Sequence, residues 1–290
     1  MTKPAQSIPI ELNPTNLPQF DSTMLSDFRN CQRYFYWRHI RQYESIDIKL
    51  PLVYGIAIHA MLAEWYRTHD LRSALAAFDQ SWIKHGEPEG DQKRNPQRAA
   101  ELMNAYRNFY PQEPFKVVDN GIEVRGALPL DEIMLVVIID LVADYPGYGL
   151  LPMDHKTTSY FNDKWWRGKT LRWQYSAYLW TMRQLFGKNC NSLYVNGILV
   201  DKSRCLFERQ PTSRNDWELE QWVRQVKHLY KEIQLCKEMD EWPQQEDYCD
   251  RWPETCQFHP LCTQVGVDYR KIEPGGSYKK SVWDPLNEVR

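Results

Sequence analysis

Apolar positions change their spacing once along the chain, near Pro114, and the change divides a helical first third from an α/β remainder. Before it, Leu25, Phe28 and Tyr36 follow Ser22 and Thr23, either of which can cap a first helix. A second helix is expected over Val53–Thr68, "VYGIAIHAMLAEWYRT", with two more near Leu71–His85 and Pro96–Tyr110. After Pro114, "FKVVDNGIEVRGALPL" reads as two short strands around the turn Asp119-Asn120-Gly121. "EIMLVVIIDLVADYPG" is a longer apolar strand ending in a Pro-Gly turn, and "YGLLPMDHKTTS" is the next strand. A helix over about 170–186, strands near Ser192–Val200 and Arg204–Gln210, and a helix with the stripe Trp217, Trp222, Val226, Leu229 and Ile233 complete the pattern.

The fold class expected is α/β: a mixed central β-sheet flanked by helices, with a helical N-terminal part and a cysteine-bearing C-terminal extension. Residues 1–20 read as an extended arm, 21–262 as one domain and 263–290 as a tail. Trp242–Cys262 is loop-like, and the polar stretch from Lys271, with its Gly-Gly pair, reads as flexible. The chain has no internal repeat and no low-complexity block.

Composition narrows the classes. With 42% apolar and 26% charged residues over 290 positions, the chain can bury a sizeable core. A net charge of −2 gives no global basic footprint, so attraction to nucleic acid must come from local patches and bound cations. No early apolar segment reaches signal-peptide or membrane-span length, which points to a cytoplasmic protein without membrane association. Seven cysteines, an odd number, argue against a disulfide framework in that setting.

Asp140 ends the run "MLVVIID", and Asp154 ends the strand after it. The turn Tyr145-Pro146-Gly147 makes these strands antiparallel neighbours, so both carboxylates reach one region of the sheet. Two carboxylates held close repel unless one protonates or a cation such as Mg²⁺ or Mn²⁺ lies between them. Lys156 shares the face of Asp154 because strand side chains alternate. Its ammonium can orient a water and stabilise charge on a phosphate oxygen. Taken alone, Asp-x-Lys reads more simply as a salt bridge at a strand end. His59, one helical turn after Gly55, alone reads as a core histidine, although an imidazole in the shell favours Mn²⁺. Gln174 and Tyr178, four apart on the next helix, alone read as a packing pair. Asp144 is a further carboxylate, more simply explained by its place in the turn.

In order, these features are Gly-x-x-x-His, a strand-end Asp, Asp-x-Lys and Gln-x-x-x-Tyr. That set resembles the PD-(D/E)XK nuclease superfamily, in particular its RecB-like exonuclease branch, over about residues 22–262. The resemblance implies a restriction-endonuclease-like core in which His59, Asp140 and Asp154 ligate a divalent metal, with the His155 carbonyl as a further ligand. It makes Lys156 the group that positions or activates water, and it sets Gln174 and Tyr178 to contact DNA or support the lysine. Two departures stand out: Val137, Ile138 and Ile139 precede Asp140 where members often carry glycine, and Met153 separates Pro152 from Asp154.

Cys249, Cys256 and Cys262 are spaced C-x₆-C-x₅-C, and Cys31 lies far upstream in "SDFRNCQRYFYW". Four thiolates suit an iron–sulfur cluster or a structural zinc, although zinc sites usually contain tighter knuckles. The segment "TMLSDFRNC" is similar to the N-terminal cysteine helix of iron–sulfur members of the RecB-like branch, with Gln32 in place of a frequent proline. The resemblance implies that Cys31, Cys249, Cys256 and Cys262 hold a [4Fe–4S] cluster that staples the chain ends. Cys190, Cys205 and Cys236 read as packing residues, and His259 as a weaker ligand candidate.

Between the lysine strand and the Gln174 helix lies "YFNDKWWRGKTLRWQ", whose Arg167, Lys169 and Arg172 can pair with phosphates while its tryptophans stack on unpaired bases. The alternative is a solvated helix start with the tryptophans packed inward. Together the features point to a divalent-metal-dependent deoxyribonuclease, an exonuclease acting on DNA ends in recombination, repair or phage-type processing. DNA is the expected partner, with a recombination or replication protein as a second. No Gly-x-x-x-x-Gly-Lys-[Ser/Thr] loop is present, so any helicase is a separate protein. The rival classes are a catalytically inactive DNA-binding or scaffolding subunit of the same fold, an iron–sulfur redox or sensing protein, and a restriction-type endonuclease.

Overall fold

The computed structural model describes residues 17–47, 49–187, 189–251 and 254–284. The elements run β1 (Gln19–Asp21), α1 (Ser22–Asn30), α2 (Gln32–Phe35), a π-helical turn at Tyr36–Ile40, β2 (Tyr43–Ser45), α3 (Leu50–Thr68), α4 (Leu71–Lys84) and α5 (Pro96–Phe109). Then come β3 (Lys116–Leu130), β4 (Ile133–Tyr145), β5 (Gly149–Thr158), α6 (Asp163–Thr170), α7 (Trp173–Phe186), β6 (Ser192–Leu199), β7 (Phe207–Ser213) and α8 (Asp216–Met239). Short pieces follow: α9 (Glu246–Cys249), β8 (Asp250–Arg251), β9 (Glu254–Thr255), α10 (His259–Cys262), a 3₁₀ turn at Tyr269–Lys271 and β10 (Tyr278–Lys280).

The sheet is mixed, in the order β1-β4-β5-β6-β7, with β3 also paired to β4. Strand β4 runs antiparallel to β3 and β5 and parallel to β1, while β5 and β6 are parallel and joined through α6 and α7. A parallel pair needs such a crossover, whereas the two-residue turn at 131–132 suffices for the β3–β4 hairpin. Twelve of the thirteen residues of β4 are buried, as a central strand with helices on both faces requires. One face packs on α1, α7 and α8, through Phe28, Leu179, Val226 and Ile233 among others. The other packs on α3, α4 and α5, through Ile58, Phe78, Leu102 and Tyr106 among others.

Both strands of the β3–β4 hairpin change faces at one level. Val124 and Ile139, a cross-strand pair, pack toward the α7 side, while Leu141 and its partner Ile122 pack toward the α3 side. The residues between them, Glu123 and Asp140, drop out of the ladder, and Glu123 adopts a left-handed φ of 50°. One step further, residues 118–121 stand opposite Val142 alone. The expected pair of short strands around Asp119-Asn120-Gly121 is therefore one long strand with a bulge, because β4 is long enough to template both halves. A side chain at Gly121 would meet the Val142 carbonyl oxygen at 2.5 Å, so only glycine fits there.

Several other local expectations shift. Asp21, not Ser22 or Thr23, caps α1 by accepting from the Met24 amide at 2.8 Å. The expected arm falls mostly on residues 1–16, which lie outside the described residues, but Gln19–Asp21 adds to the sheet as β1. Trp217 is 60% exposed at the rim of α8, and Leu219 takes its place in the buried stripe. The tail expected to be flexible returns to the N-terminal part: β10 pairs with β2, and the Trp283 indole donates to Asp21 at 2.9 Å. Residues 285–290 lie outside the described residues. Cys190 and Cys236 are buried and Cys205 half-buried.

Gly121→Ala drives a methyl group into backbone rather than into a flexible side chain, so overpacking here has no easy relief. A loss of about 2–3 kcal/mol is expected, read by urea denaturation. A wild-type midpoint in that variant would show that the bulge is plastic.

Candidate metal centre

The hairpin register places Glu123 opposite Asp140, and the β4–β5 register carries the same row on to Asp154. Leu141 pairs with Met153, but the next step, Asp140 against Asp154, is missing from the ladder. In its place the Asp140 side chain accepts the His155 backbone N–H at 2.7 Å. The strands splay where the acidic row begins, and the carboxylate satisfies the amide that the splay leaves open.

Helix α3 delivers His59 to this row. A Cβ at Gly55 would lie 3.3 Å from Thr157 Oγ1, so the bare glycine lets α3 settle on β5. One turn later, His59 Nδ1 stands 3.3 Å from Asp140 Oδ1. Burial alone would depress the imidazole, but the facing Asp140 charge outweighs it and the His59 pKa is raised. Burial pushes the Asp140 carboxyl the other way, yet the His59, Lys156 and His155 fields hold it far below the usual carboxylate range. Asp140 is thus ionised at any ordinary pH.

His59, Glu123 and Asp140 each present a ligating atom within 4.8 Å of the other two. Two carboxylates at that distance repel by about 3 kcal/mol at an effective dielectric near 20. A divalent cation reverses the sign of that interaction. One imidazole with carboxylate oxygens is a donor set that fits Mn²⁺ or Mg²⁺. Asp154, fully buried, faces a different partner: Lys156 Nζ lies 2.7 Å from its carboxylate, and the Tyr175 hydroxyl donates to Oδ2 at 3.0 Å. Lys156 is still 19% exposed, so its ammonium reaches solvent beside the row.

Behind the row, a polar network fixes His155. Its ring stacks on Tyr66 at 5.8 Å, and Asn196 joins its Nδ1 at 2.8 Å to the Tyr106 hydroxyl at 2.9 Å. Arg209 binds Glu113, Tyr66 and Tyr106 in the same network. Burial, with Arg209 and His59 nearby, pushes the His155 pKa down to about 3, so the ring is neutral. Tyr66 lies seven residues after His59, on the same face of α3, so the network also holds the helix that carries His59.

Gln174 donates to the Tyr178 hydroxyl at 2.7 Å, and Tyr178 in turn donates to the Ile138 carbonyl. Tyr178 is 3% exposed, so this pair, expected at DNA or beside the lysine, braces β4 just before Asp140. Arg167 and Arg172 are exposed, and Lys169 lies over the Trp165 ring at 4.2 Å. Burial, then the charges of Arg172 and Lys156, bring the Lys169 pKa down to about 8. Trp165 and Trp166 are half-buried and pack on each other and on Phe161.

Among the cysteines, Cys31 caps α2 and accepts from the Tyr34 amide at 3.4 Å. Cys249 closes α9, Cys262 closes α10, and the Cys256 amide donates to the Cys249 carbonyl at 2.8 Å. The four sulfurs interact electrostatically. After burial, the neighbouring thiols raise Cys249 and Cys256, and Cys262 reaches about 11. The fully buried Trp37 indole N–H faces Cys262 without a well-formed hydrogen bond. A buried donor without a well-formed partner beside a cysteine sulfur fits a thiolate-ligated group, for which all four cysteines are present.

Residues 22–263 match the model of the PD-(D/E)XK nuclease superfamily, and the chain belongs to that superfamily. Among solved structures, a crystal structure described as "Putative exonuclease" from Eubacterium rectale aligns over 85% of this chain and 93% of that one, at 14% identity and a TM-score of 0.53. SSO0001 aligns over 87% and 89% at 10% identity, with a TM-score of 0.34. Among curated protein sequences, none matches. The fold is the restriction-endonuclease-like α/β core expected from the sequence.

Sequence reasoning missed Glu123. Counting back from the turn at Asp131-Glu132 sets residue 123 against residue 140, but that count requires reading β3 as a single strand. It also missed Tyr175, which carries no motif signal of its own.

Without a cation, the His59–Asp140 pair is fully formed below about pH 6.5 and is lost as pH rises through the raised His59 pKa. Cation binding needs the neutral imidazole and therefore runs the opposite way. Mn²⁺ affinity in calorimetry is expected to rise between about pH 6 and pH 8 and to lose that slope in His59→Asn. The same slope in the variant would exclude His59 as a ligand.

Proposed function

We propose that the protein is a divalent-metal-dependent DNA exonuclease of the RecB-like type, hydrolysing phosphodiester bonds at DNA ends. The observation that carries this reading is the acidic row Glu123–Asp140–Asp154 with His59 above it and Lys156 beside it. His59, Glu123 and Asp140, with Asp154 next in the row, would hold Mg²⁺ or Mn²⁺. When bound, such an ion supplies Lewis-acid polarisation of the phosphate and a lowered pKa for water. Lys156 does the chain's own share. Its ammonium, anchored by Asp154, donates a hydrogen bond to the attacking water or to a phosphate oxygen as negative charge grows there. Arg167, Lys169 and Arg172 line the approach and pair with backbone phosphates. The description of the Eubacterium rectale neighbour supports the exonuclease form.

On this reading residues 21–262 form one catalytic domain. Cys31, Cys249, Cys256 and Cys262 hold a [4Fe–4S] cluster, whose role is to tie the α9–α10 segment to the N-terminal helices. The substrate is DNA, handled in the cytoplasm with a recombination or replication partner.

End-labelled linear DNA is expected to be digested with Mn²⁺ or Mg²⁺ and spared with EDTA, while closed circular DNA survives. Lys156→Ala should lower the cleavage rate about 10²–10³-fold while DNA binding in gel shifts is retained. Cutting of circles would make it an endonuclease, and full activity of Lys156→Ala would sink the assignment. Anaerobically purified protein should carry about four iron atoms and a brown colour, both lost in Cys256→Ser. Iron-free wild type would remove the cluster and leave the nuclease standing.

A further inference from the structure

Register partners across β5, β6 and β7 share a face of the sheet. On the face toward α3 the row is His155–Asn196–Arg209, closed side chain to side chain, at 2.8 Å between Asn196 and His155 and 3.3 Å between Arg209 and Asn196. One residue on, the row on the opposite face is Lys156–Gly197–Glu208. Its middle residue has no side chain, and two aromatic rings take that place. A Cβ on Gly197 would lie 2.9 Å from Phe161 Cε1 and 3.0 Å from Trp166 Cη2. The two rings stack with centroids 5.8 Å apart, and the Trp166 indole N–H donates to Glu208 Oε2 at 3.2 Å. The indole thus reaches from the space over Gly197 to the Glu208 carboxylate.

We infer that Trp166 is a positioning residue for Lys156: seated over Gly197, it keeps the ammonium from Glu208 and so commits it to Asp154. Lys156 and Glu208 stand two strand spacings apart, about 10 Å between backbones, a span that a lysine and a glutamate side chain can close together when nothing fills the middle. The closed row on the other face shows that three strands can be bridged in this way. Lys156 Nζ instead stands 2.7 Å from both Asp154 oxygens. Asp154 also accepts from the Tyr175 hydroxyl at 3.0 Å, so it can release the ammonium without losing every donor. Glu208, with the indole gone, would keep Gln210 as its side-chain donor among the described residues and would gain from the exchange. An ammonium drawn to Glu208 no longer serves the acidic row. The inference rests on the nuclease reading, in which Lys156 assists the attacking water, and deepens it.

Trp166→Leu is expected to lower the cleavage rate about tenfold, and adding Glu208→Gln, which removes the competing charge, to restore it to within about twofold of wild type. Glu208→Gln alone should leave the rate unchanged. A merely structural role for the indole would give a loss that Glu208→Gln does not repair. A crystal structure of Trp166→Leu should show Lys156 Nζ hydrogen-bonded to Glu208, a readout that needs no DNA. If Trp166→Leu does not fold, Trp166→Phe, which keeps a shorter ring and removes the N–H, should give a smaller loss with the same repair. An unchanged rate in the folded variant, a loss that Glu208→Gln leaves in place, or a Lys156 still held by Asp154 alone overturns the inference. A wild type that cuts no DNA, with the exchange of partners visible in the variant crystal, would refute the nuclease reading and leave this control of Lys156 intact.

Discussion

A carboxylate with 3% exposure at the centre of the sheet is the constraint to which the rest of the molecule answers. Burying an ionised Asp140 carries an effective penalty of several kcal/mol unless charge and hydrogen bonds offset it. The offsets come from separate elements: His59 on α3 and the His155 amide on β5 touch Asp140 directly, and the Lys156 field adds to them. A protein optimised for stability alone would place an apolar residue there, as it does at the neighbouring Ile139 and Leu141. The arrangement makes physical sense when the acidic row exists to hold a cation.

The backbone is shaped to the same end. The face change at Glu123 and Asp140, the left-handed φ of Glu123 and the bulge sealed by Gly121 lie within a few residues of one another. Bulges of this kind re-aim side chains at the cost of ladder bonds, and here one amide left by the broken β4–β5 ladder is taken by Asp140 itself. The Tyr66, Tyr106, Asn196, Arg209 and Glu113 network then fixes α3 and β5 relative to each other from behind.

Much of this was legible in the sequence. The apolar run "MLVVIID", the Pro-Gly turn and Asp-x-Lys locate β4, β5 and two members of the row, because strand alternation and a tight turn leave few other registers. Gly55 and His59 set a candidate ligand one helical turn after a glycine, and only the structure shows that the glycine brings the helix close to β5. Glu123 was not legible, because Asp119-Asn120-Gly121 is a strong local turn signal that only the long partner strand overrides. The contact of the Tyr178 hydroxyl with the Ile138 carbonyl was not legible either, since an i, i+4 pair fixes a shared face and not which way that face points. The pairing of β10 with β2 depends on contacts more than two hundred residues apart, to which periodicity is blind.

The central claim is that side chains from α3, β3 and β4 meet on one ion. Pulsed electron paramagnetic resonance of protein loaded with one equivalent of Mn²⁺ reads this directly. The account predicts hyperfine coupling from a single directly bound imidazole nitrogen, present in wild type and absent in His59→Ala. Bound Mn²⁺ with no nitrogen coupling, or coupling that survives the loss of His59, would contradict it.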